Sequence, residues 1–169
     1  MAVNKWAWIS LGLLCWAVVT TALAGHYWHL YGTYKVLYEE AKGQLEALTV
    51  RVNVLIDYGN GTRIWFNDTL ASAGYTVFDV LCLIANVDYV AYSGPTWVGY
   101  PNNTAYFVTG INGVYMNATH AWFWWYWDPS ARKWVLPPYG ANHVNATVVS
   151  GGIYAWTFRS MATWPPPPP

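Results

Sequence analysis

Five Asn-x-Thr triplets are the residues of this chain whose types and spacing could carry chemistry. An asparagine two residues before a threonine, with any residue except proline between them, is an acceptor for an N-linked glycan. Eleven asparagines, in a chain in which about one residue in eight is Ser or Thr, would give only about one or two such triplets by chance. We therefore predict glycosylation at all five asparagines: Asn60, Asn67, Asn102, Asn117 and Asn145. The alternative is turn-rich β structure, in which Asn, Gly and Thr occur together without glycan.

The other reactive side chains form no recognisable site. His26 and His29 stand three residues apart on one face of a predicted helix, but two imidazoles do not make a metal site and no third ligand lies near them in the sequence. The chain contains no Cys-x-x-Cys-His, no glycine-rich phosphate loop before a helix and no Gly-x-Ser-x-Gly turn. We predict no catalytic residues, no metal and no cofactor, and a protein that is not an enzyme.

The composition excludes one class of partner. Only 9% of the residues are charged, the formal net charge is zero and 19% of the residues are aromatic. Without a basic surplus there is no electrostatic basis for binding phosphate backbones, so we predict no nucleic-acid partner. Cys15 lies in a hydrophobic segment and Cys82 in an apolar run, which argues against a disulfide between them.

A single uncharged segment, residues 6–24, is long enough to cross a membrane. Its nineteen residues would make a helix about 28 Å long, close to the hydrocarbon core of about 30 Å. Aromatic residues flank both ends and Lys5 precedes the segment, which predicts a cytoplasmic end over residues 1–5. We predict a single-pass transmembrane anchor in the cell membrane, with everything after it outside the cell.

A cleaved secretory signal is the alternative interpretation of this segment. Ala22-Leu23-Ala24 before Gly25 has the small residues of a cleavage site. We favour a retained anchor, and the N-terminus of the native protein distinguishes the two.

A heptad pattern predicts a juxtamembrane helix over residues 25–49. Apolar and aromatic residues recur there at alternating spacings of 4 and 3, beginning at Tyr27. This seam either packs on the protein's own β structure or pairs with the same helix in neighbouring copies. The candidate self-association residues on it are Tyr31, Tyr34, Tyr38, Leu45 and Leu48.

Residues 50–159 predict an α+β domain, a sheet with one covering helix. Residues 76–85 read as the helix, with Thr76 as N-cap and Asp79 at the capping-box position. The strand-like segments have alternating or apolar residues bounded by Gly, Asn and Pro, and they are 50–58, 63–66, 106–109, 121–127 and 153–158.

The same residues resemble a known family, the transcobalamin-like C-terminal domain, whose function is unknown. The resemblance covers about two thirds of the chain, and its most specific piece is Val108-Thr109-Gly110-Ile111-Asn112-Gly113-Val114 followed by the aromatic strand. The other matching segments are 52–59, 76–81 and 151–158. The resemblance implies a β-grasp-like fold, a mixed sheet wrapped over one helix.

The family occurs in bacterial and archaeal surface proteins and as the small domain of cobalamin carriers. Those carriers hold their ligand against a large helical domain that this sequence lacks, so the resemblance transfers no binding residue. The density of glycan acceptors, the low charge and the lone anchor also resemble archaeal surface proteins.

The aromatic strand, residues 122–127, has large rings on both faces. Trp122, Trp124 and Tyr126 point one way, toward the predicted helix. The opposite face is a candidate contact surface for a partner, a sugar or a neighbouring subunit, formed by Phe123, Trp125 and Trp127. The alternative is that a loop, at about residues 134–139, covers this face.

Five consecutive prolines, residues 165–169, follow Trp164 in a Pro-rich tail over residues 160–169. Consecutive prolines force an extended polyproline II rod. The rod is predicted to lodge in an aromatic groove, for example that of an adjacent copy, with an unstructured tail as the alternative.

The sequence thus leads to a membrane-anchored, N-glycosylated extracellular protein with a structural or interaction role. The expected partners are the membrane, N-linked glycans, and other copies or other surface proteins assembled laterally in a layer or filament. The alternatives are a binder of a small, corrinoid-like molecule and an accessory subunit of a larger membrane complex.

Overall fold

The computed structural model describes residues 5–169. Its first element is a single α-helix, α1 (Lys5–Leu48), whose described side chains are nearly all exposed. Among the described helices, α1 alone is long and apolar enough to cross a membrane. The residues predicted to form the anchor, from Trp6 onward, and those of the predicted juxtamembrane helix up to Leu48 therefore belong to one continuous helix. The expected cytoplasmic end lies outside the described residues except for Lys5.

The chain divides into two compact units, of which the second, Ala47–Pro169, is called the β domain below. It holds eight described strands and one described α-helix. In chain order the elements are β1 (Thr49–Asp57), β2 (Arg63–Ser72), α2 (Val77–Ile84), β3 (Val87–Ser93), β4 (Thr104–Ile111), β5 (Val114–Tyr115), β6 (His120–Asp128), β7 (Lys133–Val135) and β8 (Ile153–Ser160).

Two sheets make up the β domain. The larger has the order β2-β1-β8-β6-β7, in which β1 and β8 run parallel and the other neighbours are antiparallel. The smaller has the order β3-β4-β5 and is antiparallel. The architecture is therefore α+β with mixed sheets, as the sequence predicts.

The helix α2 begins where the sequence predicts it. Thr76 is the N-cap, its Oγ1 accepts a hydrogen bond from the backbone N–H of Asp79, and the Asp79 carboxylate accepts one from the Thr76 N–H at 2.8 Å. This capping box satisfies two N–H groups that the first turn leaves open. Val80 and Leu81 then pack into the core on one face of the large sheet, with Trp122 and Trp156 among their neighbours in that cluster.

The second face of the large sheet is covered too. Leu55, Trp125 and Ala155 form a buried cluster there, and Trp134 and Leu136 pack over it. Strand β1 was predicted to alternate between buried and less buried positions. It is instead buried continuously from Val54 to Asp57, because protein lies on both of its faces.

Several elements differ from the sequence-based prediction. Strand β2 continues to Ser72, six residues past the predicted end, because it pairs with β1 along nearly its whole length. Strand β3 was not predicted, since most of its side chains are at least partly exposed and it forms an edge. The two-residue β5 and three-residue β7 are too short to leave a periodic pattern.

A buried carboxylate joins three strands at one end of the large sheet. Asp57, at the end of β1, is 2% exposed. Its Oδ2 lies 2.7 Å from Arg159 Nη2 on β8 and 3.0 Å from Arg63 Nε on β2, and its Oδ1 accepts the N–H of Gly59. Burial alone raises the pKa of Asp57, but the hydrogen bonds from Arg159 and Gly59 and the two guanidinium charges together lower it below 3.8.

Replacement of this carboxylate should destabilise the β domain. We expect Asp57→Asn to lower the free energy of unfolding by about 3–5 kcal/mol, because it leaves Arg159 largely buried without its counter-charge. Urea unfolding of the full chain in detergent, followed by tryptophan fluorescence, measures the change. Asp68→Asn is the matched control, since Asp68 is exposed and its φ of 51° suits asparagine. An equal loss in both variants would contradict the role of Asp57.

The same contact predicts an acid-dependent stability. A carboxyl whose pKa is lower in the folded than in the unfolded state stabilises the fold. This stabilisation is complete at pH values above the ordinary pKa of 3.8, and it is lost as the pH falls through the pKa of the folded state. Asp57→Asn lacks this contribution, so the gap between its unfolding free energy and that of the unmodified chain should narrow below about pH 4. A gap of constant size from about pH 6 to about pH 3 would refute the linkage.

Candidate functional site

All five acceptor asparagines are exposed, and all five lie in the β domain. Four of them lie in or beside turns and one lies within an edge strand. A glycan is bulky and hydrated, so an acceptor must stand at the surface of a folded chain. The exposure of every acceptor is thus compatible with the prediction.

Asn60 and Asn117 occupy similar turns. In each, the side-chain Oδ1 accepts a hydrogen bond from the backbone N–H of the threonine two residues later, Thr62 or Thr119, at 2.9 Å. Asparagine favours such turns because its side chain mimics a backbone carbonyl. The amide nitrogen, where a glycan would be joined, makes no hydrogen bond to any described residue in either turn.

Asn67 lies in the middle of β2, an edge strand of the large sheet. The pairing with β1 shifts here, so that Asn67 and Asp68 together stand opposite Asn53. Asp68 has a φ of 51°, and its N–H donates to Asn53 Oδ1 at 3.0 Å. Such a bulge turns local side chains away from the regular pleat.

The last two acceptors stand in 3-10 turns. Asn102 has a φ of 51°, a left-handed conformation that asparagine tolerates better than most residues. Its carbonyl oxygen accepts a hydrogen bond from the hydroxyl of Thr104, the threonine of the same triplet. Asn145 lies in the turn Val144–Ala146, where its N–H donates to His143 Nδ1 at 3.0 Å.

The proposed contact face on the aromatic strand is largely covered. Trp125 is only 3% exposed, and its Nε1 donates to Thr157 Oγ1 at 2.9 Å within the domain. Trp127 packs edge-to-face on Trp134, and Phe123 packs in the same manner on Trp164. Trp125 is therefore buried within the domain, where Trp134 of β7 and Leu136 of the loop after it pack against its cluster.

An aromatic cavity of about 630 Å³ lies between the two sheets. One wall is β6 over residues 121–124, where β6 has no second strand beside it because β7 pairs only with residues 126–128. The facing wall is β4 over residues 105–108. The remaining rings that line the cavity are Tyr92, Trp97, Tyr100, Tyr139, Trp156 and Trp164.

Several hydrogen-bond donors on these rings are unused. Trp156 is 3% exposed, and its Nε1 is the one buried side-chain polar atom of the described chain that has no hydrogen-bond partner. The side chains of Tyr92, Trp97 and Tyr106 make no hydrogen bond to any described residue either. No acidic, basic or amide side chain is among the described residues that line the cavity. The cavity therefore offers apolar rings and donors but no charge.

The self-association seam is exposed. Tyr31, Tyr34, Tyr38, Leu45 and Leu48 each have more than half of their surface open. Such a row of large apolar side chains on a helix normally has a partner. The nearby charges contribute little, since the Lys42–Glu46 pair is 4.0 Å apart and exposed.

The five prolines at the end of the chain differ in burial. Pro166 is buried, whereas Pro165, Pro167 and Pro168 are exposed. No proline among residues 165–169 lines the aromatic cavity, although Trp164 does. The proline run therefore begins at the rim of the cavity without filling it.

The two histidines singled out in the sequence lie on α1 and are exposed. The described chain, residues 5–169, contains no group of three or more His, Cys, Asp or Glu side chains that could hold a metal ion. No model of a known protein family matches this chain, and no curated protein matches it. The functional proposal therefore depends on the residues themselves.

Sequence reasoning expected an aromatic groove for the proline rod, but it did not identify which residues line the cavity. Its rings come from β3 and the loop after it, from β4, β6 and β8, from the loop after β7, and from the tail. These segments are far apart in the sequence, and only the fold brings them together. The one signal that could have pointed to it is the high aromatic content outside the strand at 122–127.

Glycan attachment can be tested one acceptor at a time. Each Asn→Gln change among the five acceptors should remove the mass of one glycan from protein purified from the native host, as measured by mass spectrometry. Asn103→Gln is the matched control, because Asn103 is exposed, follows Asn102 directly and keeps that triplet intact. Five acceptors without any sugar would contradict the prediction.

Proposed function

We propose that this chain is a membrane-anchored, N-glycosylated protein of the cell surface, with a structural rather than a catalytic role. One observation carries the proposal: every acceptor asparagine is exposed within the β domain, and none lies in the single apolar helix that precedes it. N-linked sugar is added on the side of a membrane that faces away from the cytosol. The proposal therefore places the β domain outside the cell and Lys5 inside.

The helix α1 supports the anchoring part of the proposal. Its apolar window has a mean hydropathy of 1.7, and none of that window is buried by the rest of the chain. A buried core helix of a soluble protein would be covered by protein, whereas a lipid-facing helix is covered by the bilayer. The same helix would also suit a signal sequence, and the N-terminus of the native protein distinguishes the two.

The topology of the β domain supports the proposed family resemblance. A first hairpin, β2-β1, is followed by α2, and the last strand β8 lies parallel to β1 in the middle of the sheet. This order is what a β-grasp-like sheet over one helix requires. We propose that the domain is of the transcobalamin-like type, with the β4–β5 hairpin holding the most specific piece of the resemblance, residues 108–114.

Lateral assembly is the structural role that we favour. The seam on α1 presents large apolar side chains, among which Tyr31, Tyr34 and Tyr38 each have more than half of their surface exposed. The same helix in another copy can bury such a seam. The low charge of the sequence fits contact between identical subunits, because like charges would otherwise face one another.

The two cysteines allow a direct test of membrane display. Both are free and exposed on the protein itself, so a cysteine that a reagent cannot reach in intact cells is shielded by the membrane. A membrane-impermeant maleimide applied to intact cells should label Cys82 and leave Cys15 unlabelled. Partial burial and then the Asp79 carboxylate raise the pKa of Cys82, so the labelling is done at mildly alkaline pH.

Matched variants identify the labelled residue. Cys82→Ser should abolish labelling of intact cells, whereas Cys15→Ser should leave it unchanged. Labelling of Cys82 that appears only after the cells are broken would place the β domain inside the cell and overturn the proposal.

A further inference from the structure

We propose that the aromatic cavity of one copy binds the proline segment, residues 165–169, of a second copy. This inference rests on the proposed lateral assembly and names one of its contacts. It concerns the β domain alone and does not depend on the seam of α1.

The hydrogen-bonding character of the proline segment matches that of the cavity. A proline has a backbone carbonyl but no N–H, and polyproline II has no internal hydrogen bonds, so a run of prolines presents acceptors only. On the cavity side, Trp156 Nε1 is buried and lacks an acceptor, and the side chains of Tyr92, Trp97 and Tyr106 have donors that no described residue uses. A carbonyl oxygen of the proline segment would be an acceptor for such donors, and a buried donor without a partner is unfavourable.

The shape and chemistry of the lining also match. Pyrrolidine rings pack well on the faces of Trp and Tyr, and aromatic-lined grooves are the usual receptors for polyproline II. A volume of about 630 Å³ is large enough for several prolines. Five prolines form a rod about 16 Å long that is already extended, so it loses little conformational entropy on binding.

An oligosaccharide fits this cavity less well than a proline run. Sugars carry many hydroxyl groups, and protein sites for them supply amide and carboxylate side chains as partners. None of the described lining residues carries such a group. Burial of unpaired hydroxyls in an aromatic cavity would be unfavourable.

The position of the segment favours exchange between two copies. The segment begins directly after Trp164, which lines the rim of its own cavity. If two cavities face each other about a two-fold axis, each segment starts close to the cavity of the partner. Because most of these prolines are exposed within one copy, the exchange displaces little besides Pro166.

Peptide binding tests the cavity. The full chain in detergent, with residues 165–169 replaced by glycine and serine, is titrated with acetyl-pentaproline amide, and tryptophan fluorescence is recorded. We expect a saturable change that a Gly-Ser pentapeptide does not cause. Tyr92→Ala and Trp97→Ala should each weaken binding about tenfold, as loss of an aromatic contact does. Tyr115→Ala is the matched control, since Tyr115 is an exposed tyrosine outside the cavity.

Light scattering of the full chain in detergent tests the source of the segment. We expect the unmodified chain to form an oligomer that shifts to smaller species when the five prolines are replaced or when excess pentaproline is added. Absence of saturable peptide binding, with the oligomer intact, would overturn the inference and leave the proposed lateral assembly standing.

Two other outcomes would also overturn the inference. Peptide binding by an unmodified chain that stays monomeric would exclude a second copy as the source, and it would count against lateral assembly as well. A small molecule that co-purifies in the cavity and is not displaced by pentaproline would make the cavity a small-molecule site instead.

Discussion

The ion pairs of Asp57 hold the centre of this fold together. The large sheet depends on a parallel pairing of its first and last strands, β1 and β8, which are about a hundred residues apart in the chain, and such long-range contacts are entropically costly to form. Asp57 and Arg159 join these two strands at one end by two hydrogen bonds, and Arg63 adds β2. In a domain with so few charges, one carboxylate between two guanidinium groups fixes the register at which the hydrophobic faces meet.

Packing of aliphatic and aromatic side chains, rather than charge pairing, forms the core of the β domain. The large sheet is covered on one side by α2 and on the other by Trp134 and Leu136, so β6 can bury rings on both of its faces. Where that cover ends, beside residues 121–124, the sheet has an open strand edge and the rings enclose a cavity instead of a core. The cavity is thus a consequence of a sheet that is one strand short along part of β6.

Local signals in the sequence predicted local structure well. Thr76 and Asp79 predicted the start of α2, because a capping box depends only on two residues three positions apart. The apolar run before Gly25 predicted a long helix, because length and hydropathy are enough to identify such a segment. The partners of each face could not be predicted in the same way. Trp125 follows Trp124 in the same alternating pattern whether its side chain faces solvent or is covered by other residues. Only the tertiary fold determines which of the two occurs. The residues that line the aromatic cavity could not be predicted for the same reason. The acceptor asparagines could be predicted, because each is identified by its Asn-x-Thr triplet alone.

The bulge at Asn67 has a consequence for how sheets from different molecules could meet. An edge strand ten residues long, with Ile64, Trp65 and Leu70 partly exposed, would otherwise invite a foreign strand to extend the sheet indefinitely. Asp68 breaks the regular backbone there, and an oligosaccharide on Asn67 would stand in the path of any incoming chain. A glycan at this position would sterically hinder the addition of strands from other molecules to this edge, so that specific contacts between molecules would form at other surfaces.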